Sequence, residues 1–169
     1  MLIRPAQAHE TSVMQAIELD AAKSYAALPG YAFSVVLPAR SDEEHAFARD
    51  HGARFVVEID GAVAGFIMVI PLDRAAHIFE AAMLADFQGR GIGRQLVATA
   101  ETYARGQGYA EMTLTTYRDV PWNTPFYERL GYAVFSPDAD RPQLQALMAD
   151  EVAQGFAEAP RVAMRKTIT

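Results

Sequence analysis

Apolar and polar residues recur along this chain with two periods, and the switches between them mark its elements. From His9 to Ala27 apolar residues return at helical spacing, with Val13, Ala16, Ile17 and Asp20-Ala21 on the pattern, and Pro29-Gly30 stops the run. Ser41-Asp42-Glu43-Glu44 has the form of a capping box and opens a shorter helix ending near Gly52. Arg54 to Ile59 and Val63 to Ile70 are apolar runs of strand length joined by Asp60-Gly61, a dipeptide suited to a two-residue hairpin. Pro71-Leu72-Asp73 then turns the chain into a third strand through His77 to Leu84.

The helical period resumes with Ile92, Leu96, Val97, Ala100, Tyr103 and Ala104 on one face, and Gly106 and Gly108 terminate that helix. Tyr109 to Thr116 is the next strand, Met112 and Leu114 alternating with Thr113 and Thr115. Trp122 to Leu130 is a short helix with Asn123 placed to cap it and Pro125 tolerated in its first turn. Tyr132 to Phe135 and Arg161 to Lys166 are late strands. Between them Gln143 to Gln154 carries Leu144, Leu147, Met148 and Val152 on one stripe, which covers the sheet or meets a second copy in a homodimer. Pro137, Pro142 and Pro160 punctuate this covering helix, and no repeat or linker divides the chain. The order predicts one domain over residues 1–169, of mixed α+β class, with helices on both faces of a mixed sheet.

A chain of 169 residues with 51% hydrophobic content can bury a core of that kind. Cysteine is absent, so no disulfide, thiolate metal site or cysteine nucleophile is available, and no motif calls for a metal. With no signal-like N-terminal block, and a longest apolar run, Ala62 to Ile70, well short of the roughly 20 residues that span a bilayer, the expected location is the cytoplasm, without membrane attachment. The net charge of −6 argues against a nucleic-acid partner and favours a cationic one.

The chemistry concentrates in Gln88-Gly89-Arg90-Gly91-Ile92-Gly93, between a strand and a helix. Three glycines in five residues suit a tight turn whose N–H groups converge on an anion, with the positive end of the helix behind them. Arg90 and Arg94 stand beside the turn and supply positive charge against the acidic whole. A nucleotide-hydrolase loop is excluded, because it needs Lys after its last glycine and the only lysines are Lys23 and Lys166. A dinucleotide fingerprint fits poorly, since Leu96 stands where its third glycine belongs. An ordinary glycine-rich turn and a cradle for some other phosphorylated ligand both stay compatible with these residues alone.

Gln88, Gly91 and Gly93 fit a Gln/Arg-x-x-Gly-x-Gly/Ala pattern that resembles the coenzyme A pyrophosphate loop of the GNAT superfamily of N-acyltransferases. Leu2-Ile3-Arg4-Pro5-Ala6 resembles the family's opening strand, and Ala82 to Phe87 the strand end before the loop. Asn123 to Tyr132 resembles the helix and turn that carry its tyrosine, although fewer residues separate Asn123 from Phe126-Tyr127 than the family pattern has. The resemblance implies a largely antiparallel sheet of six or seven strands that splays beside the acyl-coenzyme A site. It implies direct acetyl transfer from acetyl-coenzyme A to a primary amine, a small molecule or a peptide, in a ternary complex. A non-catalytic acyl-coenzyme A sensor is the alternative.

The roles that follow are these. Gln88, Gly89, Arg90, Gly91, Ile92, Gly93 and Arg94 would hold the pyrophosphate, with Asn123 nearby. Ala81, Ala82 and Met83 would present main-chain groups, the Ala81 N–H polarising the thioester and Met83 pairing with pantetheine. Tyr127 would protonate the departing thiolate. An alkylammonium with a pKa near 10.4 is neutral in fewer than roughly one molecule in a thousand at pH 7, so a base is worth having. Glu80 and His77 are the candidates, on opposite faces of one strand.

Overall fold

The computed structural model describes residues 1–154 and 160–169. Its strands are β1 (Leu2–Pro5), β2 (Ala53–Ile59), β3 (Ala62–Leu72), β4 (Ala75–Met83), β5 (Glu111–Tyr117), β6 (Ala133–Phe135) and β7 (Arg161–Thr167). Its helices are α1 (Thr11–Ala22), α2 (Asp42–His51), α3 (Ile92–Gly106), α4 (Thr124–Arg129) and α5 (Pro142–Ala153). The seven strands take the order β1-β2-β3-β4-β5-β7-β6, with β4 and β5 parallel and the pairs β1/β2, β2/β3, β5/β7 and β6/β7 antiparallel. This is the mixed, largely antiparallel sheet expected from the sequence. Two compact units are distinguished, Met1–Ile70 with Phe79–Tyr103, and Pro71–Ile78 with Ala104–Thr169.

In the first unit, Asp60 (φ 51°) and Gly61 (φ 81°) both take left-handed backbone, the requirement of a type I′ hairpin between β2 and β3. Ala64 to Ile70 of β3 are all buried, which explains why this strand reads as a continuous apolar run and not an alternation. Phe66, Ile67 and Met68 lose all solvent contact, as does Met14 of α1, each burial worth about 1.5–3 kcal/mol. Arg4 ties β1 to the start of α1 through Glu10 (2.7 Å) and to β2 through Glu58 (3.0 Å). The single helix predicted over His9 to Ala27 is α1 flanked by 3-10 turns at Ala8–Glu10 and Lys23–Tyr25. The predicted capping box of α2 is formed: Ser41 Oγ accepts from the Glu44 N–H, and the Glu44 carboxylate accepts from the Ser41 N–H.

In the second unit, β5 and β7 pair over seven residues from Glu111↔Thr167 to Tyr117↔Arg161, around Met112, Leu114 and Met164. The parallel register of β4 with β5 runs through Ala76↔Met112, His77↔Thr113 and Ile78↔Leu114. Helix α5 is capped from a distance: the Asp73 carboxylate, in the turn between β3 and β4, accepts from the N–H groups of Gln143 and Leu144, both at 3.1 Å. The sequence-based assignment of Asn123 as a side-chain cap for α4 needs correction. Its backbone (φ −106°, ψ −99°) lies outside the extended conformation that aims a capping side chain, and its carbonyl instead accepts from the Phe126 and Tyr127 N–H groups. Among the described residues no helix is long and apolar enough to cross a membrane.

Helix α2 ends at Gly52, where the chain runs against β3 so closely that a Cβ would lie 1.9 Å from the Val69 carbonyl oxygen. Gly52→Ala is therefore expected to destabilise the protein by about 2–3 kcal/mol, as overpacking against backbone does. A thermal melt should show Tm lowered by roughly 5–10 °C; an unchanged Tm would mean that the backbone yields there freely.

Candidate functional site

The glycine-rich turn follows β4 after a 3-10 turn at Ala85–Phe87. Gly89 (φ 72°) and Gly91 (φ 76°) hold left-handed backbone that an L side chain rarely adopts, and nothing lies within 4 Å of a Cβ built at either. These glycines are thus required by conformation, not by crowding. Gln88 Nε2 donates to the Met83 carbonyl at 3.0 Å and closes the turn onto the strand end. Ile92 begins α3 and is buried with Leu96, Val97 and Ala100, which fixes the helix start while Gly89, Arg90, Gly91 and Arg94 stay exposed. The first N–H groups of a helix have no acceptor inside it, so these amides are available to an anion. No acidic residue stands in the first turn of α3, in contrast to α2, which has Asp42, Glu43 and Glu44 there.

The later half of β4, also in the first unit, carries Glu80, Ala81, Ala82 and Met83. Ala82 is buried and Ala81 exposed. The Ala81 N–H, expected to face a thioester, donates to Glu80 Oε1 at 3.1 Å. The other Glu80 oxygen meets Arg40 Nε at 3.4 Å. Arg40 also donates to Glu44 Oε1 (3.0 Å) and to the Phe79 carbonyl (3.4 Å), with its guanidinium 4.0 Å from the Phe79 ring centroid. Glu18 on α1 joins this group, both its oxygens accepting from the Arg40 main-chain N–H at 3.2 and 3.1 Å. Burial, then repulsion from Glu80, pushes the Glu18 carboxyl up to about 8, against the opposing pull of the Arg40 N–H.

Glu18 and Arg40 were missed from the sequence. Glu18 follows the buried Ile17 and stands four residues after the buried Met14, so an acid beside the buried stripe was the available signal. Arg40 stands just ahead of a helix start and gave none.

The second unit holds the remaining predicted residues. His77 is 1% exposed, with Nδ1 2.8 Å from the Thr113 hydroxyl on β5. Tyr127 is half-buried on α4, its ring edge-on to Phe126 (5.0 Å) and Tyr132 (5.7 Å). The register of Tyr127 against Gly131 has a local cause. Gly131 (φ 89°) turns the chain back so that the Tyr132 N–H reaches the Tyr127 carbonyl at 3.1 Å. Asn123, at 9% exposure, precedes the same helix.

Comparison with known proteins bears on these two groups. The description of the acetyltransferase (GNAT) family matches residues 17–132. An uncharacterized N-acetyltransferase of Chlorobaculum tepidum is 33% identical over 129 residues, 74% of this chain and 77% of that protein. The mouse probable N-acetyltransferase family 8 member 5 is 26% identical over 98 residues, 54% of this chain; the chain spans only 43% of that relative's length. In backbone the chain is similar to the PaiA N-acetyltransferase of Thermoplasma acidophilum, solved with coenzyme A, at a TM-score of 0.69 over 98% of both chains. With 16% identity, that likeness is one of fold.

Because the space around Gly91 is open, Gly91→Ala tests the left-handed turn alone. Forcing that conformation on alanine costs about 1–2 kcal/mol. Where the free turn relaxes, coenzyme A affinity measured by calorimetry should fall up to about tenfold, and any part of the cost kept in the free fold should lower Tm by a few degrees; full affinity would mean that the turn does not hold the cofactor.

Proposed function

Since the chain belongs to the acetyltransferase (GNAT) family, we propose that residues 1–169 work as one N-acetyltransferase domain that transfers acetyl from acetyl-coenzyme A directly to a primary amine. The observation that carries this reading is the turn of left-handed Gly89 and Gly91 ahead of a helix whose first turn is free of acids. A pyrophosphate there receives main-chain N–H groups, the positive helix end and the charges of Arg90 and Arg94. Those local charges offset the repulsion that a protein of net charge −6 exerts on an anionic cofactor. The same acidic balance favours a cationic acceptor, and the cysteine-free composition suits a reducing compartment such as the cytoplasm.

At the thioester, the Ala81 N–H is the polarising donor and Met83 the main-chain partner of pantetheine. The Ala81 N–H exchanges its bond to Glu80 for one to the carbonyl oxygen, trading a contact worth about 0.5–1.5 kcal/mol for one that strengthens as the oxyanion forms. A single donor of that kind contributes about 3–4 kcal/mol to the barrier. Tyr127 supplies the proton, or the hydrogen bond, that the coenzyme A sulfur needs on leaving, a role carried by its register in the Phe126-Tyr127 segment. Deprotonation of the ammonium falls to Glu80 or His77, or to a neighbouring group that they position.

The test is release of coenzyme A thiol from acetyl-coenzyme A across spermidine, lysinamide and an alanine-terminated hexapeptide. Turnover with at least one amine is expected, whereas tight binding without turnover would favour a sensor. Tyr127→Phe should lower kcat about 10²-fold and leave coenzyme A affinity unchanged. An unchanged kcat, with chemistry rate-limiting, would remove the acid role.

A further inference from the structure

The geometry points to Glu18 as the group that takes the acceptor's proton, with Arg40 and Glu80 positioning it. This deepens the acetyl-transfer reading and rests on it. The argument begins with what each carboxylate near Arg40 already holds. Both oxygens of Glu44 are engaged, one by Arg40 (3.0 Å) and one by the Ser41 N–H (2.7 Å). Glu80 has one oxygen on Arg40 (3.4 Å) and the other on the Ala81 N–H (3.1 Å). Glu18 shares one donor, the Arg40 N–H, between its two oxygens. Each of the six oxygens thus has one contact, but Glu44 and Glu80 are ion-paired to the Arg40 guanidinium whereas Glu18, among the described bonds, holds only that neutral N–H, so its charge is the least compensated of the three.

The charges facing Glu18 are Arg40, Glu80 from β4 and Glu44 from α2. Burial and the Glu80 carboxylate hold its pKa up at about 8. For an ordinary glutamate near 4.3, taking a proton from an ammonium near 10.4 is unfavourable by about six powers of ten. For Glu18 the gap is about two. An arriving ammonium also provides a second cation beside Arg40 for the half-buried Glu18 and Glu80 pair, which selects acceptors charged at the reacting nitrogen. Glu80 lies next to Ala81 in sequence and accepts its N–H, so the pair sits beside the proposed thioester donor.

The step balances as follows. R–NH3+ gives one proton to the Glu18 carboxylate, and R–NH2 attacks the thioester carbon. The C–N bond forms, the C–S bond breaks, Tyr127 gives its proton to the sulfur, and the second nitrogen proton, lost to solvent, balances the one that solvent returns to Tyr127, leaving amide and thiol. Glu18 then returns its proton to solvent.

Glu18→Gln is the test, read as kcat/KM against pH with whichever panel amine turns over fastest. Wild type should rise with pH and level off above about 8. The variant should be about 10²-fold slower at pH 7.5 and keep rising toward the amine's own pKa, so that the gap narrows to under about tenfold at pH 10. Coenzyme A affinity should be unchanged. Its Tm should match or exceed wild type above pH 8, because a carboxyl raised in the fold loses stability as pH climbs from 4.5 to about 8 and glutamine does not. Superimposed profiles, or a uniform loss at every pH, would overturn the assignment while leaving acetyl transfer intact. If wild type binds coenzyme A but acetylates no amine, the transfer reading fails and takes this one with it. Should the variant not fold, a carbon-13 carboxyl titration of wild type decides: one glutamate titrating near 8 supports the assignment, and none above 6.5 overturns it.

Discussion

A helix that starts a few residues after a strand leaves its first amides without carbonyl partners, and this unmet hydrogen-bonding demand organises the first unit. At two other helices, α2 and α5, the same demand is met by side chains. At α2 Ser41 and Glu44 cap each other's backbone, and acids fill the first turn. At α5 the Asp73 carboxylate reaches in from another turn. At α3 the apolar anchors Ile92, Leu96 and Val97 hold the helix start in place, Gln88 commits its side chain to the Met83 carbonyl, and no acid stands in the first turn. With left-handed Gly89 and Gly91 just ahead of it, this is the helix start to which the proposed reading assigns the anion.

Arg40 does comparable work for the later half of β4. Its guanidinium lies over the Phe79 ring, bridges Glu44 to Glu80 and touches the Phe79 carbonyl, while its main chain holds Glu18. Lysine could supply the charge but neither the stacking nor the fork of donors. Through this one residue α1, α2 and β4 present three carboxylates with a single cation, an arrangement that favours a second cation over an anion.

Much of this was legible before any coordinates. Asp60-Gly61 announced its hairpin because left-handed backbone at both positions admits few residues. The loop from Gln88 to Gly93 announced itself for the same reason, and the Phe126-Tyr127 to Gly131 segment kept its register because Gly131 takes positive φ. What stayed hidden depends on contacts distant in sequence. Asp73 caps a helix that begins about seventy residues later, which no local pattern encodes. The 3-10 turn at Ala32–Val36 has no periodicity to find. Glu18 looks like any acid on an amphipathic helix until β4 brings Glu80 against it. His77 and Glu80 were expected on opposite faces by simple alternation, but burial along β4 does not alternate: Ala75 to Ile78 are all buried, His77 against Thr113, while Glu80 is half-exposed beside Arg40.

The two groups in the first unit share a physical logic. At the loop, left-handed backbone is held ahead of a helix start with no acid in its first turn; at Glu18, a carboxyl is held where its charged form is disfavoured. Each arrangement sacrifices stability that a simpler sequence would recover: an acid in the first turn of α3, or an amide at position 18. A core filled by Phe66, Ile67 and Met68 and braced by Arg4 and Arg40 is what offsets these local costs. In the proposed reading the loop takes the diphosphate and the carboxyl takes the ammonium. An acetyl-transfer enzyme has to hold both ligands, with opposite charges, on a single chain.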